Sequence, residues 1–480
     1  MNKIKNAFNR FNNAEDGPAK WEFIVGIVIV FFASIMFCFM KDFRLTVMQG
    51  LNFNDCLFHG KIFRYYSEIN KLALSGYYGS DWPTTLVASA NYSIINYAVL
   101  GVLCMPVYLV EHLAHIEVSF LVYEAVIKIC YCLMMVYMTK LMYDIALDLR
   151  KDKKDAKWAA LCFLTSPILI FSSIIISHMD IFSLLFLMLG IKYMIRNDHK
   201  RELIFYMIAV AFKPFVVLGI IPMVLMREKR ILYLLRDAVV ILAGVMVQNV
   251  VYHFDPGYGE TQKVMSETYN FVGRFFVSGF TFDRNIYQGE ASYFIIAFVL
   301  ICVIAYMAKK KNSQLLFALP FAAMVSFVLF VFWHPNWMVL LLPYLAIMML
   351  YTNNMRVMCI LEFCFSLFII IMSAFGWAGF YDIEVIDGGI ISQLLGWKAN
   401  PKYNIGEVLT RKVSQLPQNF YASFLSAVII ALLFVVIIDL YKNRADKKKV
   451  EVLAWERCAV WLRTFSVILY MLYAIVSCIK

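Results

Sequence analysis

Runs of about 20 apolar residues recur along the whole chain, and short polar segments separate them. A helix needs about 20 residues to cross roughly 30 Å of hydrocarbon. The runs are continuous and do not alternate with polar residues, which favours helices over a transmembrane β-barrel. The pattern therefore predicts an all-α, polytopic transmembrane protein with about 12–13 spans, the first at residues 23–40.

Lysine and arginine are concentrated in certain loops, and they predict which loops are cytoplasmic. Basic clusters occur within residues 1–22, 150–157, 196–201 and 227–230. Short basic loops stay on the cytoplasmic side of a membrane. The first span then leads outwards, and we expect residues 41–117 to form an external region.

Two apolar stretches, residues 94–110 and 118–143, lie between the first span and the next basic loop. Two full crossings would leave that loop outside, so one of the stretches is expected not to cross. We expect residues 82–113, which contain Pro83 and Pro106, to be broken into external juxtamembrane helices that dip into the outer leaflet.

A shorter apolar segment, residues 203–226, lies between two basic loops and has Lys213 and Pro214 at its middle. Proline breaks a helix and restricts the residue before it. The segment is therefore predicted to be a hairpin whose tip, at Lys213, reaches the outer half of the membrane.

These patterns divide the chain into three parts. We expect a cytoplasmic N-terminus at residues 1–22, a transmembrane module at residues 23–375, and an external loop with C-terminal spans at residues 376–480. The last apolar piece, residues 461–479, contains Arg463 and has two interpretations, a further span or an interfacial helix.

The composition agrees with a membrane protein, because 62% of the 480 residues are hydrophobic and only 16% are charged. The net charge of +11 comes from basic loops between spans, so it indicates orientation and not nucleic-acid binding. The eleven cysteines lie mostly inside apolar runs without metal-ligand spacing. We expect no metal and no cofactor.

The chain lacks the Walker, GxGxxG, HExxH and nucleophile-elbow motifs of soluble enzymes. A transfer reaction on the outer face would then need a donor that reaches this face through the membrane, and a lipid-linked donor meets that condition. Asp55 lies in the first external region, within the polar and aromatic segment 54–66. Asp55 is therefore the candidate for chemistry.

Several short motifs, in this order and with this sidedness, resemble the GT-C glycosyltransferase superfamily. The similar group comprises the polyprenyl-phosphate-mannose-dependent mannosyltransferases and their bacterial relatives. The motifs are residues 54–60 with a following aromatic pair, Ser177-His178-Met179-Asp180, Lys213-Pro214 and Trp333-His334-Pro335-Asn336-Trp337. The resemblance covers roughly residues 1–350, and the second motif differs at two of four positions from the Gly-Gln-Met-Asp often seen in such enzymes.

This resemblance implies an inverting hexosyltransferase whose catalytic module is residues 23–375. It would move a hexose such as mannose from a polyprenyl-phosphate donor to a lipid-linked or glycan acceptor on the non-cytoplasmic face. Separately, the single sequon Asn91-Tyr92-Ser93, the short cytoplasmic loops and the lack of an ER-retention signal favour a bacterial plasma membrane. By the resemblance, Asp55 is the base that accepts the proton of the acceptor hydroxyl. The leaving lipid phosphate needs no general acid, so a single carboxylate suffices.

The other candidate residues are expected to bind the donor phosphate or the sugar. They are Arg64, Tyr65, His178, Asp180, Lys213, Trp333, His334 and Asn336. Lys213 could instead snorkel to the interface, His334 could belong to an aromatic belt, and Asp180 is favoured as a helix N-cap. Arg64 and Tyr65 could lie on an amphipathic interfacial helix.

Alternatives remain for the base, for one internal pair and for the class of protein. Asp42 lies closer to the membrane and is the main competitor of Asp55. Glu124 and Lys128 have helical spacing and are expected to form an internal ion pair, not a site. The alternative functions are a transporter or flippase for lipid-linked saccharides, and a polymerase or ligase that uses such donors.

Overall fold

The computed structural model is almost entirely helical, which confirms the predicted all-α class. It describes residues 17–75, 90, 92–150, 152–269, 281–283, 290–308, 313–331, 334–375, 382–412, 418–446 and 455–478. The predicted N-terminal segment 1–22 is therefore described only from residue 17.

In the described parts of the chain we number the α-helices of six or more residues in chain order. They are α1 (Lys20–Met36), α2 (Met40–Phe58), α3 (Tyr65–Leu74), α4 (Ile94–Ala114), α5 (Phe120–Arg150), α6 (Lys153–Leu164), α7 (Asp180–Ile195), α8 (His199–Phe212), α9 (Val217–Arg227), α10 (Ile231–Tyr252), α11 (Pro256–Tyr269), α12 (Tyr293–Met307), α13 (Ser313–Phe330), α14 (Leu342–Met348), α15 (Met355–Ala374), α16 (Asp382–Asp387), α17 (Ile390–Leu395), α18 (Ile405–Lys412), α19 (Gln418–Asp446) and α20 (Arg457–Cys478).

Shorter elements complete the description. The chain continues from α6 through Pro167–Leu169 into a π-helical segment, Ile170–Ile175. Strands β1 (Thr281–Asp283) and β2 (Glu290–Ser292) pair antiparallel, with Thr281 opposite Ser292. The 3₁₀ turns are Ile62–Arg64, Pro214–Val216, Pro335–Leu341 and Pro401–Tyr403.

Eight helical segments within the described ranges are long and apolar enough to cross a membrane. They are Ile94–Ala114, Phe120–Arg150, Lys153–Ile175, Ile231–Tyr252, Ser313–Phe330, Met355–Ala374, Asn419–Lys442 and Arg457–Cys478. Helices α1 and α2 make a ninth candidate if they are counted together, although they are bent by 87°. A multi-pass membrane protein is thus supported. These long candidates alone fall short of the predicted 12–13 spans, because several expected crossings are shorter apolar helices.

The hairpin expected at residues 203–226 is confirmed. Lys213 and the turn Pro214–Val216 separate α8 from α9. Arg227, at the end of α9, forms an ion pair with Glu202, in the first turn of α8. Because the two far ends meet, Lys213 lies at the tip of the hairpin.

The region predicted to be external, residues 41–117, differs from the expectation at Pro106. Helix α4 continues through this proline, so the expected break there is wrong. Helix α4 packs beside α2 at two glycines, since a Cβ on Gly50 would lie 2.8 Å from the Leu100 Cβ and Asn54 donates to the Gly101 carbonyl at 2.9 Å. Whether α4 crosses the membrane stays a prediction, and residues 82–89 lie outside the described parts.

Arg463 lies inside the C-terminal helix α20, and its environment distinguishes the two interpretations of that helix. The guanidinium is 1% exposed and donates to Glu362 on α15 at 2.5 Å. An interfacial helix would leave such a charge near water. The burial of this pair between helices favours a span.

Candidate functional site

The bend between α1 and α2 places an acidic residue at the start of a helix. Residue Phe37 is extended (φ −130°, ψ 140°), and α2 begins three residues later at an angle of 87° to α1. Asp42 lies in the first turn of α2, where the helix dipole favours a negative charge. Its side chain is 26% exposed, so Asp42 lies at the border between the protein interior and the surface.

A tight turn before α7 brings a histidine to this carboxylate. Ser177 has φ +64°, a left-handed conformation that is uncommon for residues other than glycine. The next residue, His178, is 3% exposed, and its Nε2 lies 3.2 Å from Oδ2 of Asp42. Its Nδ1 lies 3.2 Å from Oδ1 of Asp180, and the Tyr92 hydroxyl lies 3.0 Å from Nε2.

Asp180 connects this histidine to the tip of the α8–α9 hairpin. The Lys213 ammonium lies 2.9 Å from Oδ1 of Asp180, and the Asn336 amide donates to Oδ2 at 2.9 Å. Asp180 is the first residue of α7, but both of its oxygens bind side chains from other elements. The interpretation of Asp180 as an N-cap is therefore wrong.

Lys213 is buried between aromatic rings. It is 7% exposed, and its ammonium lies 5.5 Å from the ring centroid of Tyr92 and 5.2 Å from that of Trp337. Aromatic faces attract a cation, and the Asp180 carboxylate supplies the opposite charge. The snorkelling interpretation of Lys213 is wrong, because its charge is directed into the protein.

We call the connected set the His178 network. It consists of Asp42, Tyr92, His178, Asp180, Lys213 and Asn336. Burial alone would lower the pKa of His178, but Asp180 and Asp42 outweigh that effect and raise it to about 9. At neutral pH the network then alternates in charge, from the Asp42 carboxylate through the imidazolium and the Asp180 carboxylate to the Lys213 ammonium.

His334 lies beside this network. Its ring centroid is 5.1 Å from that of Trp337. Burial, together with the nearby Lys213 ammonium, lowers the pKa of His334 to about 4. His334 is therefore neutral at pH 7 and can offer a neutral N–H donor but no cation. Trp333, its predicted neighbour in the site, lies outside the described residues.

Asp55 lies at the other end of α2. Thirteen residues separate it from Asp42, which corresponds to about 20 Å along a helix. Asp55 is 42% exposed, accepts a hydrogen bond from the Tyr108 hydroxyl at 2.5 Å, and has His112 at 3.7 Å. The predicted base Asp55 and the predicted phosphate-binding residue Lys213 therefore do not line one cavity, because Asp42 is the acid at the Lys213 end of the helix.

Asp55 instead lines a separate open cavity of about 350 Å³ between α2 and α3. Its other charged lining residues are Lys61, Glu68 and Lys71, and Glu68 pairs with Lys61 at 3.2 Å and with Lys71 at 2.9 Å. The cavity holds charges of both signs, and it contains no member of the His178 network.

Arg64 and Tyr65 also lie apart from the His178 network. Arg64 is exposed, whereas Tyr65 is fully buried and donates from its hydroxyl to the Gln49 carbonyl at 2.9 Å. The Tyr65 ring packs against Tyr66 and Tyr97 with centroid distances of 5.4 and 5.6 Å. Tyr65 therefore belongs to an aromatic core under α3, and sugar stacking on it would require that core to open.

Of the predicted residues, the structure brings His178, Asp180, Lys213 and Asn336 together, with His334 beside them. From the sequence, Asp42 is only the alternative to Asp55 as the base, although an acidic residue directly after the first predicted span could have indicated it. Tyr92 was not predicted, because none of the motifs that carry the resemblance includes it. Among the described residues, no group of three or more His, Cys, Asp or Glu side chains is arranged to hold a metal ion.

The chain was also compared with known proteins. No protein-family model, curated protein or solved structure matches it.

Proposed function

We propose that this protein is an inverting glycosyltransferase of the membrane, with Asp42 as its general base. It would transfer a hexose, such as mannose, from a polyprenyl-phosphate donor to a lipid-linked or glycan acceptor at the non-cytoplasmic face. The observation that carries the proposal is the position of Asp42. Its side chain is partly exposed while its partner, His178, is buried.

The proposed reaction needs one proton acceptor. The oxygen of an acceptor hydroxyl forms a bond to the anomeric carbon, and the bond from that carbon to the phosphate oxygen breaks. The bonding electron pair leaves with the lipid phosphate, and the hydroxyl proton moves to Asp42. A positioned carboxylate in this role contributes about 10²- to 10⁴-fold to the rate.

The buried part of the network would serve to orient that base. The two ring nitrogens of His178 each lie 3.2 Å from a carboxylate oxygen, one of Asp42 and one of Asp180, and Asp180 is itself held by Lys213 and Asn336. Such a chain fixes the rotamer of Asp42 before the substrate arrives, and preorganisation of this kind supports catalysis. Lys213 then acts on the base indirectly, through Asp180.

The donor phosphate would need donors at the same end of α2. Arg44 is exposed and lies two residues after Asp42, with its guanidinium 5.5 Å from the Phe120 ring centroid. Arginine binds phosphate oxygens through a planar set of N–H donors. We assign the charge contact to Arg44 and a neutral hydrogen bond to His334, in place of a direct contact from the buried Lys213.

The test is sugar transfer by the purified protein in lipid vesicles. Polyprenyl-phosphate mannose and polyprenyl-phosphate glucose, both radiolabelled, are offered with membrane extract as the acceptor. We expect the wild type to incorporate label with an inverted anomeric configuration, and folded Asp42→Asn to lose about 10²- to 10⁴-fold of the rate. Equal rates for the two proteins would remove Asp42 as the base, and no transfer from either donor by the wild type would contradict the proposed donor class.

One observation favours the transporter alternative. Arg463 and Glu362 form a buried ion pair between two candidate spans, and transporters place ionisable groups within the membrane. The pair is satisfied internally, since Ser166 donates to Glu362 and Arg463 donates to the Cys162 carbonyl. Movement of a fluorescent lipid-linked saccharide across protein-containing vesicles, without any transfer of sugar, would support this alternative.

A further inference from the structure

Lys128 is a buried lysine in the N-terminal third of α5, and it is not a member of the His178 network. It is 2% exposed, although α5 is one of the candidate spans. An ammonium inside such a helix is costly unless its donors are satisfied, and such residues are usually functional. Its hydrogen bonds therefore indicate what it does.

An ammonium has three N–H donors, and Lys128 uses all three. It donates to the Phe37 carbonyl at 2.6 Å, to the Ile174 carbonyl at 3.1 Å and to the Ser177 hydroxyl. Ser177 in turn donates to the Ile174 carbonyl at 2.7 Å. One side chain thus joins two backbone segments that are distant in sequence.

These two segments carry the two halves of the candidate site. Phe37 is in the extended link between α1 and α2, five residues before Asp42. Ser177 is the left-handed residue that immediately precedes His178. A left-handed serine persists only where its surroundings hold it, and the Lys128 hydrogen bond supplies such a restraint.

The ion pair expected between Glu124 and Lys128 is absent. The Glu124 carboxylate instead accepts a hydrogen bond from the Gln393 amide at 2.7 Å. The three N–H donors of Lys128 bind two carbonyls and a hydroxyl of the two segments, so no donor is left for a neighbouring acid.

We propose that Lys128 is a positioning residue, which holds the α1–α2 bend and the Ser177 turn together so that Asp42 and His178 meet. An effect of Lys128 on sugar transfer rests on the proposed function, whereas its effect on the contact between Asp42 and His178 does not. Removal of the ammonium would free both segments and separate His178 from the Asp42 carboxylate.

The test is a titration of His178 in the purified protein, because the pKa of this histidine depends on its contact with Asp42. NMR of selectively labelled histidine, with the His178 signal assigned from a His178→Gln variant, gives its pKa without any substrate. The groups that face His178 are Asp42, Asp180, Tyr92, Lys213 and His334. In the wild type we expect a pKa of about 9, raised by the two carboxylates.

In Lys128→Met we expect this pKa to fall below the wild-type value, because Asp42 no longer lies within hydrogen-bond distance while Asp180 stays beside His178 on the same turn. The matched control is Lys140→Met, the same change on the same helix at a side chain that is 73% exposed, and it should leave the pKa unchanged. An unchanged His178 titration in folded Lys128→Met would overturn the proposal.

A second variant covers the case in which Lys128→Met does not fold. Ser177→Ala removes one of the three acceptors without changing any charge, and we expect a smaller fall of the His178 pKa. An unchanged titration in Ser177→Ala would then overturn the proposal instead. Lys128→Arg, whose planar guanidinium cannot reproduce the three directions of an ammonium, should not restore the wild-type value.

The outcome is separable from that of the proposed function. If the wild type transfers no sugar but the titrations differ as expected, the proposed function fails and the positioning role of Lys128 stands. If the wild type transfers sugar and Lys128→Met retains both the rate and the His178 titration, the proposed function stands and this inference fails.

Discussion

Asp42 and Asp55 are the same residue type on one helix, yet their surroundings are opposite in kind. Asp42 contacts a histidine that is 3% exposed and belongs to a chain of alternating charges. Asp55 is 42% exposed and accepts one short hydrogen bond, from Tyr108, beside an open cavity. The comparison teaches that a polar, aromatic-rich segment of sequence is weaker evidence for chemistry than a carboxylate that the fold holds against buried partners.

The largest effect on stability should follow from breaking the buried end of the network. Lys213→Met leaves the Asp180 carboxylate, 3% exposed, without its ammonium partner. Removal of one partner from a buried pair costs about 3–5 kcal/mol of unfolding free energy. Unfolding in mixed micelles with increasing SDS measures this change.

Lys192→Met is the matched control, because Lys192 pairs with Asp144 at a similar distance of 2.8 Å but both side chains are partly exposed, at 16% and 22%. We expect a loss of at most about 1 kcal/mol there. Equal losses in the two variants would contradict the claim that the Asp42 end of the site is held by a buried charge network.

The next effect concerns pH. The folded-state pKa of His178 is raised from 6.5 to about 9, so its stabilising contribution is complete below pH 6.5 and is lost as the pH rises through 9. A difference of this size corresponds to a loss on the order of 3 kcal/mol of unfolding free energy across that range. The measurement compares the pH dependence of unfolding in the wild type and in His178→Gln, and parallel curves for the two proteins would contradict the assignment.

A packing change between α2 and α4 should lower the unfolding free energy but leave the surroundings of Asp42, at the other end of α2, unchanged. In Gly50→Ala the new Cβ would lie 2.8 Å from the Leu100 Cβ, so α2 and α4 must separate, at a cost of about 1–3 kcal/mol. The control is Gly259→Ala, where no heavy atom lies within 4 Å of the new Cβ. Unfolding in SDS gives the costs, and the His178 titration in Gly50→Ala should stay as in the wild type.

The smallest effect is expected for Asp55→Asn. The amide oxygen can still accept from the Tyr108 hydroxyl, and the site is 42% exposed, so the loss of charge should cost less than about 1 kcal/mol. The SDS midpoint measures this cost. A loss as large as that in Lys213→Met would show that Asp55 holds an energetic role that its contacts do not explain.

The fold class could be predicted because apolar runs and basic loops are local features of the sequence. The hairpin at Lys213 followed in the same way, from Pro214 and from the basic residues at both of its ends. Pro106 shows the limit of such rules. The helix continues through this proline, so the local preference for a break was overridden by its context.

The candidate site could be predicted only in part, because it forms between residues that are far apart in sequence. Asn336 and Asp180 are 156 positions apart, and Tyr92 and His178 are 86 positions apart. Motifs identified four of the members, but only the three-dimensional arrangement shows that Asp42 completes the network. Lys128 was misassigned for the same reason, since helical spacing suggested Glu124 as its partner while its actual partners come from two other segments.

The most direct measurement compares Asp42→Asn and Asp55→Asn in the same assay of sugar transfer from polyprenyl-phosphate donors. Both variants make the same chemical change on the same helix, and equal unfolding midpoints would establish that both are folded. The account predicts that Asp42→Asn loses about 10²- to 10⁴-fold of the rate and that Asp55→Asn stays within a few-fold of the wild type. Loss of transfer in Asp55→Asn with a retained rate in Asp42→Asn would contradict it.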